Sequence, residues 1–225
     1  MNNIVQVLNI QIHNIKTARA MKLVQQYLQS ESLNTIEIVS MDTLLRAEED
    51  LKLQESVNQF DLVIAGDKEI LKAAGITNEA SLQDAEEGVF WNNLAKMLDK
   101  RKTKIYLLTD SEAELQRISE YIQKYYHGIR VMGQGILAED TLSDELVINN
   151  INAAGVDCVL GFLTSPVREF FVADNHALLN AKVWVGISRS AIGQEVRNGN
   201  RFRMLMMRLL FHRKVVQEKK DLEEK

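Results

Sequence analysis

Seven short apolar runs of β type, at residues 4–12, 35–39, 62–64, 104–108, 128–132, 157–160 and 182–185, alternate with amphipathic stretches of helical spacing. That alternation limits the fold more than any other feature. A brief apolar run bounded by polar turns suits a strand buried on both faces, and helices between successive strands return the chain for parallel pairing. The helical stretch 17–30 sets Ala20, Leu23, Val24, Tyr27 and Leu28 in one stripe. Stretch 42–57 carries Leu44, Leu45, Ala47, Leu51 and Val57, and stretch 111–125 carries Leu115, Ile118, Ile122 and Tyr125. Ser111 stands as N-cap with Glu114 three residues on. Stretch 166–179 opens on Pro166, the only proline of the chain, a residue suited to a first helical turn. The predicted class is α/β: a Rossmann-like, largely parallel sheet with helices on both faces. Chemistry in such a sheet gathers in the loops that follow the carboxyl ends of the strands.

The chain of 225 residues has room for one large domain. The expected division is an α/β domain over 1–195 and a basic, amphipathic helical appendage over 196–225. The net charge of −4 hides an asymmetry, because the segment 196–225 holds nine basic and four acidic residues. An acidic body with a basic end points to an anionic partner for that end. The stretch from Arg201 to Val216 mixes Phe202, Met204, Leu205, Leu209 and Phe211 with Arg203, Arg208 and Arg213. That mixture suits an interfacial helix on anionic lipid. Packing of its apolar face on the body, or a homo-oligomer interface, explains the same pattern. Residues 217–225 are nearly all charged and read as frayed.

Neither a basic-then-apolar leader nor a spanning apolar run of about 18 residues is visible. The expected location is therefore cytoplasmic, with membrane contact peripheral, at the inner face of the plasma membrane. The single Cys158 lies in an apolar run and reads as a small buried hydrophobe.

Three strand ends hold residues able to carry chemistry. After 62–64 come Ala65, Gly66 and Asp67. Gly66 permits a tight turn, and Asp67 stands as either a site acid or the N-cap of the next helix. After 157–160 come Gly161, Phe162, Leu163, Thr164, Ser165, Pro166, Val167, Arg168 and Glu169. Free N–H groups at that helix start suit a diphosphate, and Arg168 adds a charge-assisted contact. After 182–185 come Gly186, Ile187 and Ser188, a further wall of the same rim. The four histidines are scattered without paired ligand spacing, so no metal site is expected. No G-x-S-x-G follows a strand. The acidic body and the scarcity of aromatics in the basic stretch argue against nucleic acid.

Taken in order, these segments resemble the WecG/TagA/CpsF glycosyltransferase family. Ser40-Met41-Asp42 after a strand resembles the family's Thr-x-Asn, and the strand ending in Gly66-Asp67 resembles the one ending in its Asp-Gly pair. Ile148 to Asp157 resembles the segment before its Gly-x-Pro-x-Gln-Glu loop, and Ser165-Pro166-Val167-Arg168-Glu169 stands where that loop stands. The resemblance implies a metal-independent, inverting transfer from a UDP-sugar, often of N-acetylmannosamine, to a polyprenyl-diphosphate-linked acceptor, with no cofactor. It implies a substrate site over Ser40, Asp42, Gly66, Thr164, Ser165, Arg168, Glu169 and Ser188, with Asp67 as base. Arg201, Arg203, Arg208 and Arg213 would face the membrane or the acceptor diphosphate. This sequence departs from the family pattern in five places: Gly66 stands where the catalytic acid stands, with Asp67 displaced by one residue; Arg168 replaces the Gln; Asp42 replaces the Asn; Ser40 replaces the Thr; and an acid that follows the later Val-Gly strand is replaced near Ser190. The implied alternative is a catalytically silent homologue serving as a binding or scaffold subunit of a glycosyltransferase complex.

Overall fold

The computed structural model describes residues 4–137, 144–188 and 201–223. Its centre is a six-stranded sheet formed by β3 (Asn34–Val39), β4 (Leu62–Ala65), β5 (Lys104–Thr109), β6 (Arg130–Ile136), β7 (Cys158–Phe162) and β8 (Val183–Ile187). The order is β4-β3-β8-β7-β5-β6, and every pairing is parallel. The α/β, Rossmann-like expectation therefore holds. The order brings the carboxyl ends of β4, β3, β8 and β7 side by side.

Helices cover both faces because the central strands are apolar on both. On one face Ile36 and Ile38 of β3 pack with α1 (Thr17–Tyr27), α6 (Val89–Lys100) and α7 (Glu112–Tyr125). On the other face Val39 and Trp184 pack with α2 (Met41–Glu49), α3 (Leu51–Asn58), α4 (Lys68–Ala73), α8 (Asp144–Ala154) and α9 (Val167–Asn175). The remaining short helix, α5 (Glu79–Glu86), precedes α6 and has no buried residue. Ser111 caps α7 through Glu114 N–H as expected. Cys158 is wholly buried, and burial pushes its thiol pKa up, as suits a packing residue.

Several boundaries differ from the sequence expectation. The run 4–12 is a hairpin of β1 (Ile4–Val7) and β2 (Ile10–His13), turned at Leu8 and Asn9 with φ of 48° and 60°. Two positive φ values make the tight turn that matches strand twist, and Leu-Asn lacks the glycine that would announce it. The stretch 42–57 is two helices, because Asp50 leaves the helical region and caps α3 through Leu53 N–H. Residues 217–223, read as frayed, continue the helix α10 (Arg201–Glu223).

The appendage is docked. Phe211 and Val215 of α10 are buried against the body. Lys214 pairs with Glu48 at 2.8 Å. Glu218 accepts the N–H groups of Leu8 and Asn9 at 3.1 and 3.3 Å, so the acid that looked like part of a frayed end closes the hairpin turn. Leu205, Met206, Leu209 and Leu210 remain exposed. No helix among the described residues is long and apolar enough to cross a membrane.

Candidate functional site

The strand ends assemble a rim. Ser40 follows β3 and caps α2, its Oγ accepting Thr43 N–H at 3.2 Å and lying 3.1 Å from Thr43 Oγ1. Gly66 follows β4 and donates its N–H to Val39 O at 2.8 Å. A Cβ at 66 would lie 2.8 Å from Val39 O, 3.2 Å from Ile38 Cγ2 and 3.4 Å from Ser188 Oγ. The residue is a glycine because the backbone of β3 occupies the space of a side chain. Ser40, Gly66, Asp67 and Ser188 are thus brought together at three adjacent strand ends. Thr164 and Ser165 follow β7. The Thr164 hydroxyl bonds to Asp110 Oδ2 at 2.5 Å, and Ser165 is buried with its Oγ unpartnered among the described residues. Asp42 is drawn outward to Arg46 at 2.9 Å within α2.

Asp67 does not point into open space. It sits at the N-cap position of α4, yet its carboxylate accepts Met41 N–H, the first amide of α2, at 3.2 Å. It is 6% exposed. A carboxylate there satisfies an otherwise free helix donor and complements the helix dipole. The contact turns its Oδ2 toward α2.

Arg168 and Glu169 lie inside the protein rather than on the rim. Arg168 is 2% and Glu169 0% exposed, and Arg168 Nη2 stands 2.6 Å from Glu37 Oε1 and 2.7 Å from Glu169 Oε1. Nη1 donates to Leu163 O at 3.0 Å, and Nη2 lies 3.4 Å from Thr43 Oγ1. The guanidinium that was expected on a diphosphate is committed to two internal acids. Glu37, which in sequence is only one residue of an apolar strand, explains this. It is fully buried at the centre of β3, opposite Gly186 in the register. A Cβ at 186 would collide with Glu37 Oε2, so Gly186 makes the recess that holds the carboxyl. Burial outweighs the attraction of Arg168 and raises the Glu37 pKa to about 8.

On the opposite face of the sheet a cavity of about 450 Å³ opens beside Gly66. Its floor is the ends of β3 and β4 (Ile38, Ile64, Ala65, Gly66), and its walls are the β2–α1 loop with the start of α1, α5, and Phe90 and Trp91 of α6. Polar groups enter from His13, Asn14, Lys16, Thr17, Asn78, Ser81 and Asp84. None was singled out from sequence; the available signal was the polar break His13-Asn14-Ile15-Lys16-Thr17 between an alternating strand and a helix. Lys16 is the N-cap of α1 without a side-chain cap, and the first turn of α1 has no acid, so this helix start suits an anion. Arg208 and Arg213 are exposed on α10. The side chains of Arg201 and Arg203 and all of residues 189–200 lie outside the described residues.

A parallel sheet with polar residues and a cavity at the carboxyl ends of its strands is the arrangement in which open α/β sheets bind their ligands. Residues 5–191 match the model of the glycosyl transferase WecG/TagA/CpsF family, and the chain belongs to that family. The match ends before α10. No curated protein matches the chain.

Proposed function

We propose that the chain binds a UDP-sugar of the N-acetylhexosamine type in the cavity beside Gly66 and transfers the sugar, with inversion and without metal, to a polyprenyl-diphosphate-linked acceptor in cell-surface polysaccharide or teichoic acid synthesis. The observation that carries this reading is the cavity itself, which adjoins the strand ends where ligands of such sheets bind. In this reading the diphosphate lies at the uncapped start of α1 near Lys16, rather than at Arg168. Ser40, Gly66, Thr164, Ser165 and Ser188 form the rim, and Asp67 fixes the start of α2 against β4. Transfer of labelled N-acetylhexosamine from its UDP donor to such an acceptor, in EDTA, tests it. Product above background is expected, and its absence with every donor and acceptor tried contradicts transfer.

The second reading, a binding or scaffold subunit without turnover, draws on the same geometry. Gly66 has no room for an acid, and Arg168 is locked inside.

The proposal extends to the membrane through α10. Leu205, Met206, Leu209 and Leu210 are exposed beside the basic Arg208 and Arg213, a composition suited to the surface of anionic lipid at the cytoplasmic face. The protein is expected to float with vesicles of anionic lipid and not with neutral ones, and L205E/L209E is expected to stay at the bottom of the gradient. Flotation of that variant equal to the parent contradicts the role of α10.

A further inference from the structure

The rim offers no free carboxylate at the end of β4. Gly66 has none, and the Asp67 carboxylate lies on Met41 N–H outside the cavity lining. His13 does line the cavity. However, Val63 N–H donates to His13 Nδ1 at 3.1 Å, so the neutral ring carries its proton on Nε2 and has no lone pair left there. Burial lowers its pKa, which keeps the ring neutral. His13 is thus a donor toward a ligand and not a base.

Asp84 of α5 is the one carboxylate among the described residues that line the cavity. Thr17 Oγ1, at the start of α1, donates to Asp84 Oδ2 at 3.2 Å. That bond holds the acid across the cavity from the floor and leaves Oδ1 uncommitted among the described residues. The group is partly buried, and it shares one cavity with Gly66, Lys16 and the start of α1.

We infer that Asp84 is the general base of this chain, taking the proton from the acceptor hydroxyl at the cavity beside Gly66. The inference rests on the donor reading given above. As the acceptor oxygen bonds to the anomeric carbon, its proton passes to Asp84 Oδ1. The bond from that carbon to the diphosphate oxygen breaks, and UDP leaves with the electron pair. The proton on Asp84 then passes to water. Thr17 is a positioning residue that orients the carboxylate.

The test uses the full chain, UDP-N-acetylhexosamine and the lipid-linked acceptor, with D84N and D84E as variants and thermal melting as the check of folding. D84N is expected to fold, to bind the donor in calorimetry as the parent does, and to lose roughly 10²–10⁴-fold in turnover. D84E is expected to recover part of that rate, and the acidic limb of the pH–rate profile is expected to vanish in D84N. Full turnover by D84N overturns the role of Asp84 and leaves the donor reading standing. Loss of donor binding in folded D84N assigns the residue to binding and overturns its role as base. A parent protein that binds no donor overturns both.

Discussion

Replacing Arg168 by glutamine is expected to lower stability by about 3–5 kcal/mol, which for a domain of this size is a fall of about 10 °C in melting temperature. The reason is asymmetry between pairing and stranding. Arg168 sits 2% exposed between Glu37 and Glu169, both fully buried. Removing the cation leaves those acids in a low-dielectric site without their counter-charge, and the desolvation already incurred is no longer offset. The gap between R168Q and the parent is expected to widen above about pH 8, where the folded parent ionises Glu37 beside Arg168 and the variant, lacking the cation, resists doing so. A melt within two or so degrees of the parent contradicts this, and Arg168 then returns to the rim as a candidate ligand contact. The outcome bears on function, since an arginine needed by internal acids is not available to a diphosphate.

Glu37 is expected to tilt the stability curve with pH. Its folded pKa, near 8, lies above the ordinary 4.5. Below 4.5 both states are protonated and the group is neutral in its effect. Between 4.5 and about 8 the unfolded chain gives up the proton while the folded chain keeps it. Stability is therefore lost as pH rises through that window, at up to about 1.4 kcal/mol per unit, and the loss levels off above it. His13 acts in the opposite sense, because its lowered pKa removes stability as pH falls. Subtracting the E37Q curve from the parent curve isolates Glu37. Chemical denaturation across pH 5 to 9 is expected to show E37Q gaining on the parent steadily up to about pH 8. Parallel curves contradict a raised pKa at Glu37.

The sheet was legible because its strands are buried on both faces and so read as unbroken apolar runs; Leu62, Val63 and Ile64 or Val159 and Leu160 need no partner to be recognised. The helices between 68 and 100 were not legible, since Gly75 and Gly88 interrupt the stripe and α5 buries nothing. The rim residues Ser40, Gly66, Asp67 and Ser188 were legible by position, as each directly follows a strand. What their side chains do was not. Asp67 read as a cap for the helix that follows it and turned out to serve the helix before it, through a contact 26 residues away. Arg168 read as a rim cation because its partner Glu37 lies 131 positions earlier, and only the packing of α9 on the sheet brings the two together. The one hint was a lone acid within Thr35-Ile36-Glu37-Ile38-Val39, where a fully buried strand has no place for an unpaired charge. The cavity was hidden for the same reason, since its floor and walls come from seven separate elements.

The central claim is that the cavity beside Gly66 takes a nucleotide-sugar, and calorimetric titration with UDP and UDP-N-acetylhexosamines in EDTA tests it most directly. Ala80 is exposed at the cavity wall, so A80W narrows the cavity without touching the core. Binding in the micromolar range by the parent, lost in A80W while melting is unchanged, is the predicted result. No heat from any of these nucleotides, or equal binding by A80W, would place the function of this chain outside that cavity.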